Sequence, residues 1–573
     1  MDRPALQLPR LTPDDLRAET LGADATVSTP FGDRPLVYAD YTASGRQLAF
    51  VEDYLRSLAP LYANSHTEDS HTGRAATHLL HDAEAAIKRS LNAGPGGRVV
   101  CTGAGSTAAI HKLQEFLGVA VPPATREAYF EMSRDAFGDG PFETLRREIG
   151  ARQPVVFVGP YEHHSNEVTW REGLCDVVEV CLDADGQICL DDLDRRLADP
   201  RWDGRRKIGS FSAASNVTGV VAPVHEIARR LHRHDALALF DYAAGGPYLP
   251  IDMTPEGDPA AALDAVFLSP HKFLGGPGAS GVLVFNERLY PSGLAPSVGG
   301  GGTVVYVWGE GHEFSDDIEA REKAGTPGLY QTLRAALALQ VKEAVGAEVI
   351  HDREHALLAR AFRQWGADDR IEILGPTAPA SRLGIVSFNV RTAGGAMLHP
   401  RFVTVLLNDL FGIQSRAGCS CAGPYGHHLL GIGGETVGRL RECSLGGIHG
   451  VKPGWCRVGF HFALSDAEAD YLVEAVRFVA AQGARFLPLY AFDVETGAWT
   501  HRQSPAAPPA FSLAAALAAR PEPHRAPDDE VRAAAFAAAF AAARALAADL
   551  PEGDASGRLA DDLADLQFFA LPA

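Results

Sequence analysis

Residues 268–278 read Leu268-Ser269-Pro270-His271-Lys272-Phe273-Leu274-Gly275-Gly276-Pro277-Gly278. An apolar run ends at Leu268 and another begins at Gly281, and each has the length and composition of a buried strand. A lysine held between two such strands is poorly solvated, which favours the neutral amine that forms Schiff bases. Ser269 and His271 can both donate hydrogen bonds to a phosphate. The pattern indicates either a pyridoxal 5'-phosphate site centred on Lys272 or an ordinary surface lysine that follows a strand.

A carboxylate upstream narrows that choice. The apolar run Ala238-Leu239-Phe240 ends on Asp241. A buried Asp is costly unless it meets a cation, and a pyridinium nitrogen is a suitable one, because the pairing keeps the ring protonated as an electron sink. Asp241 could instead cap the turn that follows it. An Asp at the end of one strand and a Lys at the end of the next form a narrower pattern than either residue alone.

With these residues in place, the chain resembles the class V aminotransferase family of fold-type I pyridoxal-phosphate enzymes. Within that family it is similar to the cysteine desulfurases of the group that also includes selenocysteine lyases. The resemblance extends from about Val37 to about Ala475, and its motifs follow in the family's order. It implies an α/β fold, with a large domain whose mixed, mostly parallel seven-stranded sheet is flanked by helices, plus a small α+β domain.

The chain divides into four predicted parts. These are an N-terminal arm with part of the small domain (residues 1–64), the large cofactor-binding domain (65–328), the small domain (329–485) and a Pro/Ala-rich helical extension (486–573). Within the large domain, the charged stretch 121–153 is predicted to be a surface insertion. In the extension, Phe536 and Phe540 lie on one face of an Ala-rich helical stretch, residues 528–548, which we expect to pack on the body or on a partner.

Composition limits the partners and the compartment. A formal net charge of −20 argues against nucleic acid or an anionic membrane as a partner. The polar N-terminus lacks the apolar core of a signal peptide, and no apolar run is expected to reach the roughly 20 residues that span a bilayer. The eight cysteines are scattered, as is usual for reduced thiols. We therefore expect a cytoplasmic protein.

A Gly-rich turn leads from a predicted strand into a helix at Thr102-Gly103-Ala104-Gly105-Ser106-Thr107. Free backbone N–H groups and the helix dipole bind anions at such a position. The resemblance assigns the cofactor phosphate to Ser106 and Thr107, with Ser269 and His271 as further donors.

Three more cofactor contacts follow from the resemblance. His163, in the segment Tyr161-Glu162-His163-His164, would stack on the pyridoxal ring and help to move protons. Asn216 would donate to the phenolic oxygen of the cofactor. Thr326, in Gly325-Thr326-Pro327, would reach the phosphate bound by a neighbouring subunit, which implies a homodimer with shared active sites.

A candidate catalytic thiol lies in Arg416-Ala417-Gly418-Cys419-Ser420-Cys421, where the resemblance places a cysteine nucleophile at Cys421. Lys272 would take the α-proton of a cysteine substrate, and the Cys421 thiolate would attack the substrate sulfur, leaving a persulfide and releasing alanine. Cys419 is additional to the pattern and could resolve the persulfide, form a regulatory disulfide or fill space.

Zinc binding is an alternative role for these cysteines. Cys419 and Cys421 could join Cys443, Cys456 and the pair His427–His428, but the ligand spacings are irregular. We therefore predict no metal.

Substrate contacts are also implied. Arg457, in Cys456-Arg457-Val458-Gly459, would grip the α-carboxylate through two parallel hydrogen bonds, and Arg416 would be a second contact. Ala43 belongs to the segment Val37–Gly45, which resembles the entry segment that lines the substrate mouth.

One residue departs from the desulfurase pattern. Ala244 stands where those enzymes carry a Gln, or sometimes a His, that donates to the phenolic oxygen. The principal hypothesis is a desulfurase that acts on cysteine or selenocysteine and passes sulfur to an acceptor protein. The alternatives are a class V aminotransferase, epimerase or β-eliminating lyase without a cysteine nucleophile, and a non-catalytic scaffold. The sequence specifies neither the amino acid nor the acceptor.

Overall fold

The computed structural model describes residues 8–503, 528–551, 553 and 555–572. Its α-helices, in chain order, are α1 (Pro13–Glu19), α2 (Ala49–Leu58), α3 (His71–Ser90), α4 (Gly105–Phe116), α5 (Pro123–Phe137), α6 (Asp139–Arg152), α7 (Val168–Arg171), α8 (Leu190–Leu197), α9 (Val224–Arg233), α10 (Ile318–Arg321), α11 (Leu329–Val345), α12 (Ala347–Trp365), α13 (Pro400–Phe411), α14 (Gly423–Leu429), α15 (Gly434–Leu445), α16 (Asp466–Gln482) and α17 (Asp529–Asp549).

The strands, in chain order, are β1 (Thr26–Thr29), β2 (Gly32–Pro35), β3 (Val37–Tyr38), β4 (Gly97–Thr102), β5 (Val155–Val158), β6 (Asp176–Glu179), β7 (Lys207–Ser212), β8 (Leu237–Asp241), β9 (Ala265–Leu268), β10 (Gly281–Asn286), β11 (Val304–Trp308), β12 (Gly311–Phe314), β13 (Ile371–Ile373), β14 (Ile385–Val390), β15 (Ile413–Gln414), β16 (Arg416–Gly418), β17 (Trp455–Gly459), β18 (Tyr490–Phe492) and β19 (Trp499–His501).

These residues form two compact units. Unit 1 comprises Ser44–Ser215 and Val220–Ala347, with residues 8–10. Unit 2 comprises Leu11–Ala43, Asn216–Gly219 and the described part of 348–573. Helix α11 belongs to unit 1.

Unit 1 is built on a seven-stranded sheet with the order β4-β10-β9-β8-β7-β5-β6. The strands from β9 to β6 are parallel, whereas β10 runs antiparallel to both β4 and β9. The four residues of β9 and the four of β5 are all buried, as expected for central strands covered by helices on both faces. The predicted mixed, mostly parallel seven-stranded sheet is therefore confirmed.

The predicted surface insertion, residues 121–153, forms the helical pair α5 and α6. Most of its side chains are exposed. Phe142 is the residue buried within α6, and the guanidinium of Arg134 stacks on its ring at 4.8 Å.

Unit 2 contains the four-stranded antiparallel sheet β13-β14-β17-β16 and a short parallel pair, β3 with β15. The two strands of this pair bring the segment that begins at Val37 beside the segment that leads to Arg416. The predicted α+β character of the smaller part agrees with these elements.

Helix α17 is part of unit 2 and packs on other helices of that unit, as predicted for the Ala-rich stretch. The Phe536 ring stacks on Tyr471 at 4.1 Å, and the Phe540 ring lies 5.0 Å from Phe411. Among the described helices, α17 is the one that is long and apolar enough, by length and composition, to cross a membrane, with a mean hydropathy of 1.5. The expectation that no apolar run reaches that length did not foresee this helix, which meets the criterion by length and composition only.

Candidate active site

Lys272 ends a 3-10 turn, Pro270–Lys272, that directly follows β9. The backbone N–H of Lys272 donates to Ser269 O at 2.9 Å, and the N–H of Gly45 donates to His271 O at 2.9 Å. A Cβ at Gly276 would lie 1.8 Å from Pro270 O. Only glycine therefore fits at this position, where the chain after Lys272 runs against the turn. The turn is thus fixed on both sides, and the Lys272 side chain is half-buried.

Asp241 ends β8, the parallel neighbour of β9, so the two residues lie at the same edge of the sheet. This edge, at the carboxyl ends of the strands, is where open α/β sheets bind ligands. The Asp241 side chain is buried and accepts the N–H of Ala243 at 2.8 Å. Burial raises the pKa of Asp241, while the hydrogen bond from Ala243 and the positive charge of Lys272 oppose that rise.

A corner formed by Ser106, Ser269 and His271 lies at the start of α4. The N–H of Ser106 donates to Ser269 Oγ at 2.8 Å. Gly105 has φ +61°, and a Cβ there would lie 2.9 Å from both Ser269 Oγ and His271 Cε1. Burial, with the charge of Lys272, lowers the pKa of His271 to about 4. His271 is therefore neutral and keeps one ring N–H to donate.

His163 is tied to the same corner through Ser165. The N–H of Ser165 donates to His163 Nδ1 at 3.2 Å, and Ser165 Oγ lies 3.0 Å from that nitrogen. Ser165 Oγ also lies 2.6 Å from Thr107 Oγ1. Because Nδ1 accepts a backbone N–H, the neutral ring carries its proton on Nε2. We use the name lysine cluster for seven residues: Ser106, Thr107, His163, Asp241, Ser269, His271 and Lys272.

Glu162 supports the loop that carries His163, and the sequence analysis gave it no role. Its carboxylate accepts from Asn166 Nδ2 at 2.7 Å and from the N–H and Oγ of Ser212 at 2.9 and 2.6 Å. Burial raises its pKa to about 7. The loop after β5 is thus hydrogen-bonded to the end of β7.

Thr326 lies elsewhere in unit 1. Its Oγ1 accepts from Asn64 Nδ2 at 3.0 Å, and His66 Nε2 lies 3.1 Å from the carbonyl of Gly325. These contacts join Thr326 to residues 64–66 beside an open cavity of about 550 Å³ that is lined in part by His66 and Pro327.

In unit 2, the two predicted substrate arginines meet at one carboxylate. Arg457 is buried on β17, where its Nη1 donates to Asn216 O at 2.9 Å and its Nη2 to Asp40 Oδ1 at 3.1 Å. Arg416 Nε donates to Asp40 Oδ2 at 3.0 Å. The N–H of Ala43 donates to Asp40 O at 2.9 Å. Three of the predicted residues, Ala43, Arg416 and Arg457, therefore contact Asp40. A fourth, Asn216, contacts Arg457 directly.

Cys421 lies on the exposed loop between β16 and α14. Ser420 and Cys421 have φ of +51° and +57°, which is uncommon for residues with a Cβ. The loop is held by Asn216 Nδ2, which donates to Ser420 O at 2.7 Å, and by Trp455 Nε1, which donates to Ser420 Oγ at 3.2 Å. Cys419 and Cys421 are both exposed thiols. We call Asp40, Ala43, Asn216, Arg416, Cys421 and Arg457 the arginine–thiol cluster.

Across residues 8–503, 528–551, 553 and 555–572, no three His, Cys, Asp or Glu side chains group closely enough to hold a metal ion. Cys456 is buried, where its thiol contacts Thr404 and Ser415 at 3.4 and 3.7 Å. The lysine cluster, in contrast, offers donors for an anion beside a buried carboxylate that a cationic ring would compensate.

Sequence reasoning overlooked Asp40, Glu162 and Ser165 as contributors to these clusters. The sequence does contain a signal for Asp40 and Glu162. Each is an acidic residue within, or shortly after, a segment of small or apolar residues. Ser165 had none, because a serine two residues after a histidine is unremarkable until both are seen against Thr107.

Residues 143–472 match the family described as Aminotransferase class-V. The chain is 28% identical over 397 residues to a probable cysteine desulfurase of Halalkalibacterium halodurans, covering 68% of this chain and 85% of that protein. It is 29% identical over 423 residues to probable cysteine desulfurase 2 of Mycobacterium leprae, covering 72% and 89%.

Solved structures share the fold. The apo cysteine desulfurase of Thermococcus onnurineus NA1 superposes with a TM-score of 0.62 at 21% identity, over 83% of this chain and 99% of that one. A cysteine desulfurase of Escherichia coli gives a TM-score of 0.59 at 21% identity, over 82% and 98%.

Proposed function

This chain belongs to the class-V aminotransferase family, and from that premise we propose that it is a pyridoxal 5'-phosphate enzyme that removes sulfur from L-cysteine, or selenium from selenocysteine. The observation that carries the desulfurase assignment is the exposed thiol of Cys421, on a loop anchored beside two arginines that share Asp40. The relatives named as cysteine desulfurases support the same assignment.

The lysine cluster fits this cofactor. The start of α4 with Ser106 and Thr107, close to Ser269 and neutral His271, suits a phosphate. Asp241 is a buried carboxylate that a protonated ring nitrogen would compensate. We propose that His163 stacks on the ring, that Asn216 donates to the phenolic oxygen and that Thr326 reaches the phosphate of a neighbouring subunit, as the resemblance implies.

Bound pyridoxal phosphate supplies an electron sink for the substrate's α-carbon. The chain's own residues do the rest. The Lys272 amine takes the α-proton, and Asp241 holds a positive charge on the ring. Arg457 and Arg416 bind the substrate carboxylate. Their two guanidinium groups face the single carboxylate of Asp40, which leaves a net positive charge. Ala43 lines the mouth of the substrate site.

The sulfur step needs a thiolate at Cys421. Its sulfur forms a bond to the substrate sulfur while the substrate's carbon–sulfur bond breaks, so that Cys421 becomes a persulfide and the carbon skeleton leaves as alanine after protonation. An exposed position suits delivery of that sulfur to an acceptor protein. Nothing in this step requires the Gln that Ala244 replaces.

The test is to measure alanine and sulfide released from L-cysteine by the cofactor-loaded protein, by Cys421→Ala and by Cys419→Ala, each in the presence of a thiol reductant that frees the persulfide sulfur as sulfide. We expect equal amounts of both products from the parent, loss of both in Cys421→Ala with the cofactor's visible absorbance retained, and retained release in Cys419→Ala. Turnover that persists in Cys421→Ala, or pyruvate in place of alanine, would move the assignment to a lyase.

We further propose a cytoplasmic homodimer. The β11–β12 hairpin exposes four consecutive apolar side chains, including Tyr306 and Trp308 at 66% and 45%, and a strand with such a surface is unusual in a monomer. Light scattering should give twice the mass of the chain, and Tyr306→Lys combined with Trp308→Lys should lower it. A monomeric parent protein would contradict the dimer while leaving the proposed chemistry testable by product release.

A further inference from the structure

Cys181 and Cys189, which belong to neither cluster described above, lie opposite each other on a short hairpin of unit 1. The hairpin follows β6 and leads into α8, and Leu182 pairs with Ile188 in an antiparallel bridge. The next pair outward is Cys181 with Cys189, where the N–H of Cys189 donates to Cys181 O at 2.9 Å. Residues opposed in this way have Cα atoms about 4.5–5.5 Å apart, within the range that a disulfide spans.

The hairpin holds this register firmly. The N–H of Asp183 donates to Gln187 O at 2.8 Å. Asp183 Oδ1 accepts the N–H groups of Asp185 and Gln187, each at 2.9 Å. On the outer side, Asp192 Oδ2 accepts the N–H of Cys181 at 3.0 Å. A one-residue slip, which would send the two thiols to opposite faces, would break these bonds.

The hairpin leaves both thiols reachable. Burial together with Asp192 raises the pKa of the Cys181 thiol, and the neighbouring Cys189 acts in the same direction. Cys181 is exposed and Cys189 half-buried. The nearby Cys175 offers a contrast in accessibility, since it is buried and its Sγ donates to Trp170 O at 3.1 Å.

We propose that Cys181 and Cys189 form a redox-active dithiol that closes to an intramolecular disulfide by exchange with a small-molecule disulfide such as oxidised glutathione. This site lies outside the lysine cluster and carries no part of the proposed desulfurase chemistry.

The exchange balances in two steps. One cysteine loses its proton, and its thiolate attacks a sulfur of the reagent, whose S–S bond breaks and releases one glutathione thiol. The second cysteine loses its proton and attacks the resulting mixed disulfide, releasing the second glutathione thiol. The protein gives up two protons and two electrons in total, and the reagent takes them up.

The test treats the folded full-length chain with oxidised glutathione and digests it, after blocking free thiols, with a protease that cleaves after Asp and Glu. Cutting there leaves Cys175 on residues 173–176, Cys181 on 180–183 and Cys189 on 186–191. We expect peptides 180–183 and 186–191 to be recovered joined, lighter than their sum by two hydrogen atoms, and to separate again after treatment with reduced glutathione.

Matched variants isolate the pair. Cys181→Ser should leave Cys189 carrying a glutathione adduct, which is the trapped first step. Cys175→Ser should leave the 181–189 link unchanged. The link should exceed any link to Cys175 by about tenfold, because buried thiols exchange slowly. Separate adducts on both cysteines of the parent, unmodified thiols, or a link that forms only after unfolding in urea would overturn the proposal.

Discussion

Asp40 contacts Arg457 and Arg416 at once, with its Oδ1 3.1 Å from Nη2 of Arg457 and its Oδ2 3.0 Å from Nε of Arg416. Arg457 is 4% exposed in its side chain and Asp40 12%, so their ion pair is poorly screened, whereas Arg416 is half exposed. The carboxylate therefore fixes the orientation of the buried guanidinium that is proposed to bind substrate.

Asp40→Asn keeps the shape of that side chain and removes its charge. We expect KM for the amino-acid substrate to rise about tenfold, which corresponds to about 1.4 kcal/mol, with a smaller change in kcat, because Arg457 loses the partner that orients it. Steady-state kinetics with varied L-cysteine would measure this.

The control for that variant is Asp33→Asn. Asp33 accepts a hydrogen bond from Ser28 on the exposed β1–β2 hairpin, away from both arginines, and its removal should leave KM unchanged. A lower KM in Asp40→Asn would mean that Asp40 competes with the substrate carboxylate instead of preparing Arg457 for it.

Glu354 gives unit 2 a pH-dependent stability. Burial raises its pKa to about 8; its Oε2 accepts the N–H of Gly384 at 2.9 Å and its Oε1 has no hydrogen-bond partner among the described residues. Because the folded pKa lies above the unfolded one, the group's contribution to stability is full below about pH 4.5 and is lost as the pH rises towards 8.

Glu354→Gln should therefore flatten the fall in unfolding free energy between about pH 5 and pH 8, and stabilise the protein at pH 8 by about 4 kcal/mol. Urea unfolding at several pH values would measure it. Glu348→Gln, on the exposed side of the same helix, should keep the parent's pH profile. A variant with an unchanged slope would show that Glu354 ionises normally in the folded chain.

Much of this architecture could be predicted from the sequence. Strands such as Ala265–Leu268 are buried on both faces. Their unbroken apolar sequence identifies them without knowledge of the strands beside them. The seven-stranded sheet followed from the family resemblance.

The connections between segments were not predictable in the same way. Asp40 reaches Arg457 across 417 positions of sequence, and no local pattern encodes such a pairing. The left-handed backbone at Ser420 and Cys421 was also missed, because neither residue type favours positive φ and the conformation depends on bonds from Asn216 and Trp455.

Arg532 joins α17 to other segments of unit 2. It is 7% exposed, its Nη2 lies 2.6 Å from Glu468 Oε1, and it also donates to the carbonyls of Ala23 and Leu36. Removing one partner of a buried pair leaves the other charge uncompensated. Arg532→Met should destabilise unit 2 by about 3 kcal/mol and expose α17 to proteolysis, with limited digestion and thermal unfolding as the measurements.

Arg544→Met on the same helix is the matched control. Arg544 covers the Phe540 ring at 5.5 Å, but its ion pair with Glu474 is long, 3.8 Å, and its side chain is 65% exposed. We expect a change below about 0.5 kcal/mol. Equal proteolysis of the two variants would mean that α17 is held by its Phe536 and Phe540 contacts alone.

Trp455 contacts the loop that carries Cys421. Its indole N–H donates to Ser420 Oγ, and the ring is buried on β17. Trp455→Phe retains an aromatic ring and removes that bond, worth about 1 kcal/mol. If the bond restrains the loop, alkylation of Cys421, measured in a Cys419→Ser background, should accelerate about fivefold. Trp499→Phe removes an indole N–H that has no partner among the described residues, so its alkylation rate should match the parent's. Equal rates in all three proteins would assign the restraint to Asn216, whose bond to Ser420 O neither change touches.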